Sequence, residues 1–279
     1  MPPRRLRLDA ELVRRGLARS REHASDLIAD GRVKVSGSLA TKPATAVTTD
    51  VAIVVREDPD RVDYVSRGGH KLAGALSAFA AEGVSVAGKR CLDAGASTGG
   101  FTDVLLRTGA REVVAVDVGY GQLAWSLQSD DRVVVHDRTN VRELTLDVVG
   151  EPVDLVVGDL SFISLELVLD ALLSVVAPDG ELALMVKPQF EVGKDRVGKG
   201  GVVRNLELRA EAVVGVARAA ATRGWGAVAV TTSPLPGPSG NVEFFLLLRR
   251  GPAAIDGDDV RAEVERSASL GVAGERVDP

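Results

Sequence analysis

The sequence has little of what several classes of protein need. Its 279 residues include one cysteine, Cys91, so no disulfide can form within the chain. Cys91 opens an apolar stretch, where a cysteine ordinarily serves as a small buried hydrophobe. The three histidines, His23, His70 and His136, are scattered and form no metal-ligand spacing with it. We therefore expect no structural metal.

Long apolar runs are also missing. No run reaches the roughly 18 residues from which a membrane-spanning helix is predicted. The N-terminal residues are basic, but they lead into an amphipathic segment rather than into the apolar core of a signal peptide. We therefore expect a cytoplasmic protein. Hydrophobic residues make up 45% of the chain, which is ample for a core.

Charge is distributed unevenly along the chain. Residues 1–55 contain ten Lys and Arg against six Asp and Glu, whereas the remainder has an acidic excess and the whole chain a net charge of −5. This division predicts a small basic module that contacts a polyanion, attached to a larger acidic body.

Apolar spacing predicts two helices near the N-terminus. The first carries Leu8, Leu12 and Val13 on one stripe, and the second is capped by Ser20 and ends at Gly31. A turn-strand element is expected over residues 32–37, and a further strand over residues 51–55. Seven basic residues lie off the apolar stripes, and on charge alone a merely solvated face explains them equally well: Arg4, Arg5, Arg19, Arg21, Arg32, Lys34 and Lys42.

Residues 90–106 are the stretch around which the remainder of the chain is organised. An apolar run stops at Asp93, small residues follow to Gly100, and Phe101, Val104 and Leu105 recur at helical spacing. This pattern of strand, tight turn and helix predicts the first βα unit of a nucleotide-binding sheet.

The turn also indicates which nucleotide binds. It reads Asp-x-Gly-x-Ser-x-Gly over residues 93–99 and lacks the three glycines of a dinucleotide site. A carboxylate beside the turn suits the cationic S-adenosylmethionine (SAM). Asp117 ends the next strand, 22 residues after Gly95, where a carboxylate can accept ribose hydroxyls. The candidate SAM-binding residues are Asp93, Gly95, Ser97, Thr98, Gly99, Phe101, Asp117 and Asp137.

Beyond residue 65, seven apolar strands are predicted, most of them separated by helices. The expected fold class is α/β, a doubly wound, seven-stranded, Rossmann-like domain with a small N-terminal α+β domain. The predicted boundaries are 1–58 for the small N-terminal domain, 59–65 for a linker, 66–251 for the α/β domain and 252–279 for a tail with one short helix. Strands are predicted at 90–93, 112–117, 132–136, 153–159, 181–187, 227–232 and 242–249, and helices at 70–82, 122–127, 162–173, 206–223 and 258–269.

Polar residues that end these strands are the candidates for chemistry, because ligands bind at the carboxyl ends of the strands in such sheets. Asp159 and Lys187 each end an apolar strand, and Pro188 restricts the lysine's backbone. The alternative is a solvated surface ion pair. Lys71 opens the first helix of the domain, and Glu243 follows a turn-rich segment.

The N-terminal pattern, Arg-Leu-Asp-x-x-Leu-Val from residue 7 through Lys42-Pro43, resembles the RNA-binding module of ribosomal protein S4 type. The resemblance implies contacts with structured RNA, which go largely to phosphates and RNA shape. The resemblance implicates Arg19, Ser20, Arg21, Arg32 and Lys34, and we add the basic Arg4, which lies just before the pattern.

The order Lys71, Asp159, Lys187, Glu243 resembles the Lys-Asp-Lys-Glu tetrad of FtsJ-like ribose 2′-O-methyltransferases. Nearly the whole chain is similar to the TlyA family, whose members are named both as hemolysins and as rRNA methyltransferases. The resemblance implies a SAM-dependent enzyme that methylates cytidine ribose in 16S or 23S ribosomal RNA, with ribosomal RNA or ribosomal subunits as its partner. In this interpretation Lys187 orients and activates the 2′-hydroxyl, and Asp159 and Glu243 position the two amines.

Two other functions are weighed against this one. A membrane-active hemolysin would need a span, a secretion signal or a strongly hydrophobic amphipathic helix, none of which the sequence supplies. A non-catalytic RNA-binding assembly factor would not need an intact tetrad. The loop at residues 193–201, rich in glycine and cations, is either a flexible connector or a segment that orders over the RNA backbone.

Overall fold

The computed structural model describes residues 5–56 and 62–271. The predicted RNA contact Arg4 and part of the predicted linker, residues 57–61, lie outside the described residues. The chain divides into two compact units, Met1–Arg67 and Gly68–Pro279.

The first unit contains two short helices and two small antiparallel sheets. Its elements are β1 (Arg5–Arg7), α1 (Leu8–Arg14), α2 (Arg21–Ala29), β2 (Val33–Val35), β3 (Ser38–Leu39), β4 (Ala46–Thr48) and β5 (Ile53–Val55). β1 pairs with β4, and β2 lies between β3 and β5. Ser20 caps α2, since its hydroxyl oxygen accepts a hydrogen bond from the His23 N–H at 3.1 Å. The apolar stripes of both helices, including Leu8, Leu12 and Leu27, form the core.

The second unit alternates strands and helices through most of its length. Its elements are α3 (Gly68–Ala78), β6 (Arg90–Ala94), α4 (Gly100–Arg107), β7 (Glu112–Val116), α5 (Trp125–Gln128), β8 (Val133–His136), α6 (Leu146–Val149), β9 (Val153–Gly158), α7 (Leu169–Ser174), β10 (Val176–Val186), α8 (Pro188–Glu191), α9 (Leu206–Ala221), β11 (Trp225–Thr232), β12 (Phe244–Arg250) and α10 (Gly257–Gly271). Short 3-10 turns cover Phe79–Glu82, Val141–Glu143, Leu165–Leu167, Lys194–Arg196 and Lys199–Gly201.

The seven predicted strands form one sheet, in the order β11-β12-β10-β9-β6-β7-β8, which confirms the predicted fold class. β8, β7, β6, β9 and β10 run parallel, whereas β12 is antiparallel to both β10 and β11. A turn-rich connection rather than a helix joins β11 to β12, which is what antiparallel neighbours permit. The start of β12 therefore lies at the same edge as the carboxyl ends of the parallel strands.

One predicted helix differs from the structure. The helix expected at 162–173 is interrupted, because residues 159–164 form a loop before a 3-10 turn and α7, and Phe162 has a positive φ of 65°. Such a backbone conformation is incompatible with a continuous helix. The helix of the predicted tail, α10, packs against α9 and β11, and its Val260 and Val264 are buried in the main core. It belongs to the same compact unit as the sheet.

The described helices include no candidate for a membrane span. None of them combines the length and the apolar composition that crossing a bilayer requires.

Candidate active site

The turn after β6 brings the backbone of two elements close together. Gly95 has a φ of 84°, and a Cβ there would lie 3.0 Å from both the Asp159 carbonyl oxygen and the Leu160 side chain. Gly99, with a φ of 97°, precedes α4, and a Cβ there would overlap the side chains of Leu123 and Leu127. Glycine is needed at both positions for conformation and for space.

Asp117, just beyond β7, is fixed by two backbone hydrogen bonds. Its Oδ2 accepts from the Ser97 N–H at 2.8 Å, and its Oδ1 accepts from the Gly119 N–H at 2.7 Å. Each carboxylate oxygen keeps a further lone pair with which it can accept a hydrogen bond from a hydroxyl group. Asp117 can therefore bind a ribose diol while it holds the glycine turn in place.

A cavity of about 460 Å³ opens at this edge of the sheet. Its size falls within the usual range of small-molecule sites. The residues lining it are Gly95, Ser97, Asp117, Val118, Gln122, Asn140, Val141, Asp159, Leu160, Ser161, Phe162, Ile163 and Val168. Sequence reasoning missed Gln122, Asn140 and residues 160–163. Asn140 follows β8 at the carboxyl edge, so its position along the chain was a usable signal.

Five of the eight predicted SAM-binding residues do not line this cavity: Asp93, Thr98, Gly99, Phe101 and Asp137. Phe101 is buried in the core, where its ring centroid lies 5.9 Å from that of Phe245, so it packs there rather than lining the cavity. Thr98 accepts a backbone hydrogen bond from Ala124, and Asp137 accepts one from the Gly121 N–H at 2.9 Å. Gly99 is buried at the start of α4.

Asp93 also departs from the prediction of a carboxylate facing the ligand. Its side chain is completely buried beneath the turn, where Oδ2 accepts a hydrogen bond from the Thr102 hydroxyl at 2.7 Å. Oδ1 has no hydrogen-bond partner within the described part of the chain. Burial, helped by the negative charges of Asp159 and Asp117, raises the pKa of Asp93 to about 7 against the opposing effect of the Thr102 hydrogen bonds.

The predicted tetrad is present as two ion pairs. Lys187 Nζ lies 2.5 Å from Asp159 Oδ1 and donates to the Ser161 hydroxyl at 2.8 Å. Lys71 Nζ lies 2.5 Å from Glu243 Oε2. Both lysines are 7% exposed and Glu243 is 1% exposed. The burial of Lys187 disfavours the alternative of a solvated surface pair for Asp159 and Lys187.

Strand register explains why these residues share one edge. Leu184 pairs with Gly158 across β10 and β9, so Asp159 and Lys187 follow neighbouring strand ends. Val186 pairs with Phe244 across β10 and β12, so Glu243 comes just before β12 on the side where Lys187 leaves β10. Because β12 is antiparallel, Glu243 at its beginning lies at the edge of the sheet where the parallel strands end.

The predicted RNA-binding residues of the first unit are held by local contacts. Arg21 donates to Asp9 Oδ2 at 3.0 Å, Arg19 to the Tyr64 carbonyl at 2.5 Å and Arg32 to the Arg56 carbonyl at 2.9 Å. Hydrogen bonds from Arg7 and then Arg21 lower the pKa of Asp9 to about 2, although burial opposes them. Arg19, Ser20, Arg21 and Lys34 are exposed.

These features define a nucleotide-binding α/β transferase with a basic N-terminal module. They are the sheet order, the glycine turn after β6, the Asp117 carboxylate that can bind a ribose, and the buried lysine–carboxylate pairs. More specifically, the chain belongs to the FtsJ-like methyltransferase family, whose model matches residues 64–250. An S4 domain model matches residues 6–53. The cofactor of this enzyme class is SAM, and the glycine turn after β6 and the Asp117 carboxylate fit it.

Similar proteins carry two kinds of name. The chain is 58% identical to the 16S/23S rRNA (cytidine-2′-O)-methyltransferase TlyA of Mycobacterium tuberculosis, over 96% of this chain and 99% of that protein. It is 36% identical to Hemolysin A of Brachyspira hyodysenteriae, over 86% of this chain and 98% of that protein. A solved structure described as a hemolysin from Streptococcus thermophilus has a TM-score of 0.77 at 32% identity, covering 99% of this chain and all of that one.

Proposed function

We propose that this protein is a SAM-dependent methyltransferase that modifies the ribose 2′-hydroxyl of cytidine in ribosomal RNA. The observation that carries the proposal is the placement of Lys187, which is buried and held by Asp159 and Ser161, two residues that line the cavity. The substrate class is supported by the names of relatives, rRNA (cytidine-2′-O)-methyltransferases from Mycobacterium tuberculosis and Campylobacter jejuni. The proposed partner is ribosomal RNA within ribosomal subunits, and the proposed location is the cytoplasm.

SAM supplies an electrophilic methyl group for the ribose oxygen. Residues from three strand ends would hold it. Asp117 would accept the ribose hydroxyls, and the bare backbone at Gly95 would leave space for the ligand. Ser97 and Asn140, on the cavity wall, would donate or accept hydrogen bonds.

Lys187 orients the nucleophile in this proposal. An ammonium group has three N–H donors. One of them donates to the Ser161 hydroxyl, and Asp159 Oδ1 lies 2.5 Å from the nitrogen as its ionic partner. A further N–H group could therefore donate to the 2′-oxygen of the substrate. The 2′-hydroxyl loses its proton as its oxygen gains the methyl carbon. The ammonium form of Lys187 has no lone pair for this proton, so the proton passes to water when Lys187 is charged, or to Lys187 itself when its amine is neutral. Much of the rate would come from this alignment.

Lys71 and Glu243 would form the second half of the constellation. Their ion pair is buried. Glu243 directly precedes β12, and β12 pairs with β10, the strand that ends just before Lys187. A buried pair of this kind holds its partners in one geometry only when both charges are present. We assign it the role of shaping the substrate side of the site.

Phe162 is suited to hold the substrate base. It lines the cavity, is 91% exposed, and its ring lies 5.2 Å from that of Phe190. Stacking of a base on an aromatic ring is worth about 1 to 3 kcal/mol. A cytosine taken out of the RNA structure could therefore stack on Phe162 while its ribose meets Lys187.

Arg19, Arg21, Arg32 and Lys34 would contact RNA phosphates and place the substrate, but they would not take part in the chemistry. They lie in the unit that matches the S4 domain, where the basic excess of the sequence is found. Such contacts contribute affinity and position more than base selection.

The deciding experiment is transfer of radiolabelled methyl from SAM to purified small and large ribosomal subunits, followed by mapping of 2′-O-methylation. We expect label at cytidine ribose. RNA binding without transfer would support the assembly-factor alternative and contradict this proposal. The hemolysin alternative is carried by the names of relatives alone, whereas methyl transfer is also supported by the lysine–carboxylate geometry.

A further inference from the structure

The loops that follow β9 and β10 are joined at three successive points. Lys187 contacts Asp159 and Ser161 at the first point, as described above. The rings of Phe190 and Phe162 meet at the second point. The third point is a carboxylate, Glu191, which the proposed reaction does not use.

Glu191 binds the far end of the loop with both of its oxygens. Oε2 accepts a hydrogen bond from the Ser164 hydroxyl at 2.6 Å, and Oε1 accepts one from the Leu165 N–H at 2.9 Å. Ser164 in turn caps the 3-10 turn Leu165–Leu167 by accepting from the Glu166 N–H at 3.2 Å. Hydrogen bonds to a charged acceptor are stronger than neutral ones, so Glu191 ties this loop down firmly.

The chain between Lys187 and Glu191 is short and stiff. Pro188 begins α8, and this single helical turn ends at Glu191. A proline in the first turn of a helix has its φ already set, so Lys187 and Glu191 cannot move independently by much. The loop 159–165 is therefore held at one end by the reactive lysine and at the other by a carboxylate on the same rigid segment.

We propose that Glu191 is a positioning residue, which fixes the loop 159–165 so that Asp159 and Ser161 hold the Lys187 amine in its working orientation. This inference rests on the proposed function. Glu191 does not touch the substrate; it acts through Lys187.

The test compares Glu191→Ala and Glu191→Gln in the full-length protein, each also combined with Lys187→Ala. In Glu191→Ala we expect kcat for methyl transfer to ribosomal subunits to fall by up to about 10²-fold, because small misplacement of a reacting group has effects of this size. The KM for subunits and the SAM affinity should change by no more than a few-fold. Glu191→Gln should recover most of the activity, since its amide oxygen can still accept from the Leu165 N–H.

The double variant separates positioning from general destabilisation. If Glu191 acts through Lys187, adding Glu191→Ala to Lys187→Ala should cause no further loss in single-turnover assays. An additional loss of the same size as in the wild-type background would overturn the proposal. Glu207→Ala is the matched control, because Glu207 is exposed, lines the same cavity of about 420 Å³ as Glu191, and carries the same charge. It should retain wild-type kcat.

Hydrogen exchange gives a readout that does not depend on activity. Amides of residues 159–167 should exchange faster in Glu191→Ala than in the wild type, and unchanged exchange would contradict the proposal. Wild-type protein that transfers no methyl group would refute the proposed function instead, while the exchange result would still decide whether Glu191 holds the loop.

Discussion

Lys71 Nζ lies 2.5 Å from Glu243 Oε2 although 172 residues separate the two in the chain. The pair joins the first helix of the second unit to the beginning of β12, and both side chains are buried. Removal of one partner from a buried ion pair leaves the other charge uncompensated.

We therefore expect Lys71→Met to lower the free energy of unfolding by about 3 to 5 kcal/mol. The double variant Lys71→Met with Glu243→Leu should lose clearly less than the two single variants together, because no charge is left unpaired. Urea denaturation of all four proteins at pH 7 measures the coupling. Additive losses would mean that the pair contributes nothing as a unit.

Replacement of Lys187 by alanine should lower methyl transfer by at least about 10²-fold, the usual contribution of a proton-transfer group. Lys187→Arg distinguishes two roles, because arginine keeps the charge and donates hydrogen bonds but does not lose its proton. Substantial activity in Lys187→Arg would mean that orientation suffices. Lys89→Ala, which removes another lysine paired with a glutamate at 2.6 Å, is the control and should remain active. Wild-type activity in Lys187→Ala would exclude the lysine from the mechanism.

Gly95→Leu should abolish SAM binding, since its side chain would meet the backbone of Asp159 and enter the cavity. Gly224→Leu is the matched control: Gly224 also has a positive φ, of 79°, but nothing lies within 4 Å of a Cβ there. The control should lose some stability and keep SAM affinity.

Asp117→Ala should also weaken SAM binding, because it removes both the ribose acceptor and the anchor of the turn. Titration calorimetry measures all three, and unchanged affinity in Gly95→Leu would refute the placement of the cofactor.

Arg21→Glu and Lys34→Glu should weaken binding to ribosomal RNA and reduce its salt dependence. For each phosphate contact that is lost, binding releases about one counterion fewer from the RNA. The expected change is a loss of roughly 0.7 to 0.9 in the slope of log K against log salt for each contact. SAM affinity, measured in parallel, should be unaffected. An unaltered salt slope in both variants would show that RNA approaches another surface.

Asp93 should make the stability of the cofactor-free protein depend on pH. Its pKa is raised from about 4 in an unfolded chain to about 7 in the folded one. Between these values the folded state retains a proton that the unfolded state releases, so stability falls as the pH rises from about 4 to 7. The fall is up to about 4 kcal/mol, at about 1.4 kcal/mol for each pKa unit.

Asp93→Asn keeps the acceptor for the Thr102 hydroxyl and removes this titration. Melting temperatures of both proteins, followed from pH 5 to pH 8, should diverge in favour of the variant. Parallel curves would show that Asp93 titrates in its ordinary range.

Much of the fold and part of the site followed from local sequence patterns. Alternating apolar strands and helices predicted the seven-stranded sheet, which the structure confirms. Polar residues at the ends of apolar strands singled out Asp159 and Lys187, because parallel strands present their carboxyl ends at one edge. The tight turn near Gly95 was visible because only small residues occupy it.

The remainder depended on contacts between distant parts of the chain. The sequence could not show that β12 runs antiparallel, which brings Glu243 to the ligand edge, since strand order arises from packing across the whole sheet. Nor could it show that Asp93 and Phe101 turn into the core, because a residue's neighbours in sequence do not report its burial. The hydrogen bonds of Glu191 join segments 26 residues apart at their nearest. Local composition thus determined the elements and the candidate residues, and only tertiary packing decided which of those residues meet.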